Sequence, residues 1–489
     1  MDTRPPAVLG LDLGTSQVKA LLCGRDGAVL GQGAAGYQVS TPRPGWAETD
    51  AGHWWHATRT AVRSAVGPVP AEVVGLAVVG QMHGLILWAE RSGLLRSPII
   101  WLDRRAAAEV ADYRRLSAEL RARLGNAPSA GMAGPLLLWL SRHEPDAYRR
   151  ARWMLQPKDW LRLRLTGEAA TDPTDASGTL LFDLARGAWA AGVARALGLR
   201  TDLLPPIRLP AEIAGTLRPA AAERLGLPPG LPVATGAADT AASLLAARLP
   251  SGWGLLTLGT GGQLIVPSAP DPDIPFPDYP EPGGPGRADL SGTTNLFRSV
   301  DGGTYRLAGA QNVGVTLDWV RRTLGASWDE LYGTAARPWR ADTPVFLPQL
   351  AGERWDDPGS GGAWIGLTLA HQRDDLMRAA LEGVAFLLRG KLEDMRAAGC
   401  APDRIRLAGG GTRHPAWRQL LADVLAVPLY PAGAGWLTAR GAALIAATAA
   451  GLMTEARTPD RSGEYEEAVV GASQVAEVSY RRFLSSSSH

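Results

Sequence analysis

Cysteine is almost missing from this chain. Cys23 and Cys400 are the only two in 489 residues, and most of the sequence lies between them. That excludes a disulfide framework and any cysteine-based metal spacing, and it suits a reducing compartment, the cytoplasm. Lysine is nearly as scarce. Lys19, Lys158 and Lys391 stand in a Lys+Arg total of 50, so each lysine stands out from surface filler. No charge sign dominates, since 50 cationic residues face 48 acidic ones for a net +2. No bulk field therefore calls for nucleic acid or an anionic membrane. Long apolar runs are absent too. The longest, "GAALIAATAAGLM" (441–453), is too short and too rich in Gly and Ala to span a bilayer. The opening "MDTRPPAVLG" has no apolar segment of signal-peptide form, and the closing "SSSSH" reads as disordered. What remains is 46% hydrophobic and 20% charged residues, a globular composition long enough for two or three domains.

The informative stretch is "VLGLDLGTSQVKALL" (8–22). Val8, Leu9 and Leu11 predict one buried strand, and Val18, Ala20, Leu21 and Leu22 a second. Gly14 in the turn lets the backbone approach a ligand closely. Asp12 sits beside that turn and Lys19 after it. Two readings stand: a hairpin with a polar tip, or a turn that holds phosphate, with Asp12 holding a metal ion through water. Downstream, "VVGLAVVG" (73–80) predicts a strand entering the turn "QMHG", and "PIIWLD" (98–103) another strand. Residues 104–125 have amphipathic spacing for one helix, and 134–155 read as helix and then short strand. The alternation argues for an α/β fold. After a break at "LPSGW" (249–253), "GLLTLGTGGQLIV" (254–266) repeats the opening layout of strand, Gly-Thr turn and strand. Two such turns predict an internal duplication whose halves grip one phosphate chain across a cleft. Residues 267–290 read as a Pro/Gly-rich loop, 374–399 as a long helix, and 404–411 as a strand entering three glycines before a helix over 412–426. That last layout suits a nucleotide at a helix N-terminus, without a P-loop or G-x-G-x-x-G fingerprint.

Taken in order, these stretches resemble the FGGY family of carbohydrate kinases, and within it the xylulokinase branch. "GLDLGTSQVKALL", "GQMHG", "IIWLDRR", "PKDWLRLRLTGE", "TDPTDASGTLLFD", "GAADTAA", "LTLGTGG", "FLPQLAGER", "GAWIGLTLAHQRDDLMRAALEG" and "GGGTRHPAWRQLLADVLAVPL" carry the resemblance over about residues 7–450. It implies two actin-like (ribonuclease-H-like) α/β domains with a catalytic cleft between them. Residues 1–249 would hold sugar and the first phosphate segment, 250–455 the second phosphate segment and the adenosine, and 456–489 would be an extension and tail. It implies ATP and Mg²⁺ and a small sugar as partner, and it allows a homodimer; no nucleic acid and no membrane are expected from the charge balance and the short apolar runs. The reaction implied is phosphorylation of a sugar hydroxyl, foremost D-xylulose to D-xylulose 5-phosphate. Two alternatives stay open: a kinase for another sugar or polyol such as ribulose, fuculose or gluconate, or a non-catalytic actin-like protein that binds sugar and nucleotide.

Mapped onto this chain, the resemblance makes Asp239 the catalytic base, against a helix N-cap as the plainer role. It makes Asp12 the Mg²⁺ residue. Gly14, Thr15 and Ser16 would cradle phosphate with Gly259, Thr260 and Gly261, and Lys19 would reach it. Met82 and His83 would contact the sugar. Asp103 would bind sugar hydroxyls or cap a helix, and Gly409, Gly410 and Gly411 would flank the adenosine. Arg413 and His414 lie nearby without a role, and Trp101 and Trp139 read as core. The chain also departs from the family pattern. Ala237 and Ala238 replace glycine-rich sequence, Thr240 an amide residue, Gly261 a serine and Leu136 a lysine, and 291–297 match poorly. The alanine methyls are expected to narrow the pocket, which leaves the sugar's identity open.

Overall fold

The computed structural model describes residues 4–67, 69–268, 292–350, 361–432, 436–453, 467–471 and 473–487. The opening stretch forms β1 (Pro6–Leu13) and β2 (Gln17–Gly24), an antiparallel hairpin continued by β3 (Val29–Gly36). From its second residue onward β1 is buried on both faces, as a strand covered by helices must be. β4 (Glu72–Gly80) lies parallel to β1 on the other side. β5 (Ile213–Thr216), β6 (Pro232–Ala234) and the two-residue β7 (Ala237–Ala238) complete the sheet, with β6 and β7 both parallel to β4.

The second half repeats this plan. β8 (Trp253–Leu258) and β9 (Gly262–Ser268) form the hairpin, and β10 (Asn295–Arg298) and β11 (Thr304–Ala310) extend it antiparallel. β12 (Arg404–Ala408) lies parallel to β8, and β13 (Leu429–Pro431) parallel to β12. The strand order β3-β2-β1-β4-β6 thus matches β11-β9-β8-β12-β13 in sequence and in strand sense. Two "LGT" turns pointed to this duplication, and the sheets carry it through five strands each.

The glycine- and alanine-rich stretch that could not span a bilayer has a different use. It forms most of α8, residues Leu437–Ala449, which crosses the first sheet although it follows the second in sequence. A Cβ on Gly10 of β1 would lie 2.3 Å from the Ala439 carbonyl oxygen. α4 (Asp239–Ala247), which ends the first half, buries Ala241, Leu244 and Ala247 with Leu255 and Ile265 of the second sheet. The two helices meet where a Cβ on Gly441 would lie 2.0 Å from the Ala242 carbonyl oxygen, and the Ser243 and Thr438 hydroxyls bond at 2.8 Å. Each half therefore packs a helix against the other half's sheet. Gly441→Ala is expected to lower the melting temperature. The overpacking, roughly 1–3 kcal/mol, exceeds the gain of about 1 kcal/mol in helix propensity. A thermal melt in which the variant gains stability would contradict this close seating.

Several local readings need correction. Residues 98–103 are no strand. Ile99 makes only isolated bridges to Glu48 and Leu85, and the chain turns at Trp101–Leu102. The long helix over 104–125 is two short ones, Val110–Arg115 and Ala118–Leu124. Leu116 is extended, and the Ser117 hydroxyl caps the second helix at the Leu120 N–H. The amphipathic spacing survived this break, because a capping serine competes for the backbone without disturbing the apolar pattern. At the C-terminus a helix runs Gln474–Ser486, so Ser485 and Ser486 of the supposed disordered end are helical. The loop expected at 267–290 lies outside the described residues except Pro267 and Ser268, which end β9. Among the described residues no helix is long and apolar enough to cross a membrane.

Candidate active site

In parallel-strand architectures ligands gather at the carboxyl ends of the strands. Here the first sheet ends β1 at Asp12–Leu13, β4 at Gly80 and β7 at Ala238, immediately before Asp239. The Gln81 N–H bonds the Leu13 carbonyl at 3.0 Å and Ala238 pairs with Gly80, so the three ends are adjacent. Asp12 is 5% exposed. Burial raises its carboxyl to about 7; Lys19 opposes that rise and the Asp239 charge adds to it. Lys19 lies across the hairpin from Asp12, with its Nζ 3.9 Å away. Asp239 is raised to about 6 by burial, against hydrogen bonds from the Thr240 N–H (2.6 Å) and hydroxyl (3.2 Å). Asp239 is not the N-cap: Ala238 holds that position and Asp239 is the first helical residue of α4.

The turn "QMHG" follows β4. His83 adopts φ 68°, in the left-handed region, which non-glycine residues enter only when the surroundings hold them there. Its Nδ1 bonds the Gly178 carbonyl at 2.7 Å. A carbonyl only accepts, so Nδ1 carries a proton in this bond. Met82 is buried, with the Tyr305 hydroxyl 3.7 Å from its sulfur. The Phe297 ring packs 5.7 Å from His83. These two aromatics come from β10 and β11 of the second half, and Phe297 lies in the segment 291–297 that matched the family poorly. No signal in the sequence pointed to either.

The turns expected to hold phosphate are shaped by close approaches. The Gly14 carbonyl accepts from the Tyr37 hydroxyl and from Gln81 Nε2 (3.3 Å), while Thr15 is half-buried and Ser16 exposed. In the second half, Gly259 and Thr260 are exposed at the carboxyl end of β8. Gly409, with φ 96°, packs so near β8 that a Cβ would lie 2.3 Å from the Leu258 carbonyl oxygen. The 409–411 and 259–261 turns are therefore neighbours, and Gly259 and Gly410 face open space where a Cβ would meet nothing. Such bare turns at strand ends suit a polyphosphate chain. Among the described residues no group of three or more His, Cys, Asp or Glu gathers to hold a metal. One buried carboxylate, Asp12, still suits Mg²⁺, which keeps most of its waters and takes phosphate oxygens as ligands.

Where the strand over 98–103 fails, a bridging loop takes its place. Trp101 Nε1 donates to the Thr15 hydroxyl at 2.9 Å, and Arg104 donates to Gln311 Oε1 at 3.1 Å. Gln311 adjoins Gly261, whose added Cβ would lie 2.8 Å from the Ala310 carbonyl oxygen. The loop thus reaches both turns expected to hold phosphate, and Trp101 is half-buried beside them rather than the core residue expected. Asp103 is not brought to the site as an open ligand. It is fully buried, accepts from the Ala47 N–H at 2.6 Å and holds Arg105 through both oxygens, and it caps no helix. A sugar contact would have to break that pair.

The departures also resolve locally. Gly236 carries the positive φ (86°), and its added Cβ would lie 1.8 Å from the Val78 carbonyl oxygen. Ala237 and Ala238 are ordinary strand residues with no exposed surface, buried in separate core clusters, so the expectation that their methyls narrow the pocket is corrected. Leu136 is fully buried core.

Comparison with known proteins adds a second line. Residues 7–246 match the model for the N-terminal domain of the FGGY family of carbohydrate kinases, and residues 254–450 match its C-terminal domain. The xylulose kinase of Escherichia coli (strain K12) is 34% identical over 450 residues, covering 90% of each chain. The crystal structure of a xyloylose kinase from Brucella ovis superposes with a TM-score of 0.85 at 31% identity, covering 98% of each chain. A gluconate kinase structure from Lactobacillus acidophilus superposes with a TM-score of 0.86 at 23% identity, covering 99% of this chain and 98% of that one. At that lower identity the likeness shows the fold alone.

Proposed function

The chain belongs to the FGGY family of carbohydrate kinases, and on that premise we propose that its sugar is D-xylulose and that Asp239 is the base that activates the attacking hydroxyl. The activity is ATP-dependent phosphorylation of a sugar hydroxyl. In the proposed step, Asp239 accepts the hydroxyl proton while the sugar oxygen bonds to the γ-phosphorus. The bond from that phosphorus to ADP breaks and ADP leaves. A carboxyl raised to about 6 is ionised at neutral pH yet more basic than an ordinary aspartate, which suits a general base. Asp12 would hold Mg²⁺ through water, and the ion would neutralise phosphate charge. Gly14, Thr15 and Ser16, with Gly259, Thr260 and Gly261, would bind the phosphates through backbone N–H groups. Gly409, Gly410 and Gly411 would flank the adenosine, and Lys19, beside Asp12, would balance charge there.

The observation that carries this reading is that Asp12, Asp239 and the "QMHG" turn stand together at the adjacent carboxyl ends of β1, β7 and β4. The similarity to xylulose kinases at 34% and 31% identity supports D-xylulose over other sugars. A coupled ADP-release assay with Mg²⁺-ATP against ketopentoses, sugar acids and polyols tests it. Turnover with D-xylulose should exceed the others by roughly tenfold or more; a preference for another sugar would reassign the substrate. His83→Ala should raise the sugar KM roughly tenfold, the worth of about one or two hydrogen bonds, and leave the ATP KM nearly unchanged. Equal effects on both would remove His83 from the sugar site.

A further inference from the structure

Behind the site lies a cluster of charges with no access to water. Lys158 sits in α2 (Pro157–Thr166), and its Nζ is 2.6 Å from Asp159, 2.9 Å from Asp172 and 3.2 Å from Asp175. All four residues have no exposed surface. The proposed mechanism uses none of them, yet one bonded chain leads from them to the base. Asp172 Oδ1 faces Lys158, and its Oδ2 accepts from both the N–H (2.8 Å) and the hydroxyl (2.5 Å) of Thr174, in α3 (Pro173–Ala176). The same hydroxyl oxygen accepts from the Ala238 N–H at 2.8 Å. Ala238 is the residue immediately before Asp239.

The polarity of this chain has one solution. Asp172 Oδ2 already accepts the Thr174 N–H, and the Ala238 N–H can only donate to the hydroxyl oxygen. The Thr174 proton must therefore point to Asp172, and its lone pair must take the Ala238 N–H. β7 is two residues long and ends at Ala238, so the ladder does not continue past the residue that sets the start of α4. We infer that Thr174, locked by Asp172 and Lys158, is a positioning residue that fixes the backbone carrying Asp239 for proton transfer. This rests on the reading of Asp239 as the base.

Small displacements of a reacting group cost rate rather than binding. Thr174→Val keeps the shape and removes the hydroxyl. It should lower kcat by roughly 10–100-fold while the sugar and ATP KM values stay within about threefold, and Thr174→Ser should recover most of the loss. A fall in melting temperature with kcat preserved would make the hydroxyl merely structural and overturn the inference. In an Asp239→Asn background, Thr174→Val should remove little further rate; a full further loss would show that Thr174 acts elsewhere. If Asp239→Asn itself keeps activity, the base assignment fails; if it is inactive and Thr174→Val is normal, only the positioning role fails. Should the valine variant not fold, hydrogen exchange in the unaltered protein decides. Slow exchange of the Ala238 amide supports the bond, and exchange at the rate of an open turn rejects it.

Discussion

Asp239→Asn should bind ATP and sugar and phosphorylate almost nothing, with kcat lower by roughly 10²–10⁴-fold, the usual worth of a general base. Asparagine keeps the size of the side chain and the acceptor oxygen that Thr240 bonds, but it cannot take the proton. The same variant should be more stable than the parent protein above pH 6. Burial lifts Asp239 from 3.8 to about 6, so the folded protein holds that proton more tightly than the unfolded chain does. Ionising the folded carboxylate therefore costs stability as pH rises from about 4 to about 6. Asparagine escapes that cost, roughly 1–2 kcal/mol once partial solvent contact is allowed for, and the advantage should vanish near pH 4. Denaturant titrations of both proteins at pH 4 and pH 8, with ADP-release rates at pH 8, check the two halves of this expectation. Near-normal turnover would end the proposed mechanism. Equal stability at pH 8 would mean the carboxylate is not strained by its burial.

Lys158→Met should be the most damaging single change to stability. Burial alone would push the Lys158 ammonium's pKa down, but Asp159, Asp172 and Asp175 outweigh it and hold the pKa above the ordinary lysine value. Arg162 supplies a second cation, 2.8 Å from Asp159. Burial and the neighbouring carboxylates raise Asp175 well above its ordinary range despite Lys158, and a proton held there would balance two cations against two remaining charges. Methionine matches the length of lysine and leaves the carboxylates without their shared partner. Breaking a buried ion pair in this way costs about 3–5 kcal/mol. Urea unfolding or soluble yield should show the loss plainly, while replacement of the exposed pair Arg149–Asp146 should change stability by less than about 1 kcal/mol. A Lys158→Met protein as stable as its parent would mean that the three carboxylates are protonated and the lysine is dispensable.

The sequence by itself determined whatever depends on neighbours along the chain. Both hairpins, the glycine turns at their tips and the long helix over Arg373–Ala397 follow from apolar periodicity and from glycines that clear space. Ordered motifs then pointed to the kinase family. The same local logic failed at 98–103 and 104–125, because Asp103 turns the chain by bonding Ala47, 56 residues away, and Ser117 breaks a helix whose apolar pattern runs on unbroken. Only the tertiary structure decided how the strand ends that carry Asp12 and Asp239 come together, how Phe297 and Tyr305 reach the "QMHG" turn from the second half, and how Thr174 holds Ala238, 64 residues away. The aromatic contacts depend on the two sheets closing on one another, and the other two on distant segments of the first half meeting. A hydrogen bond or a packed ring leaves no periodic trace in either strand it joins, so the sequence carries the chemical groups but not their meeting.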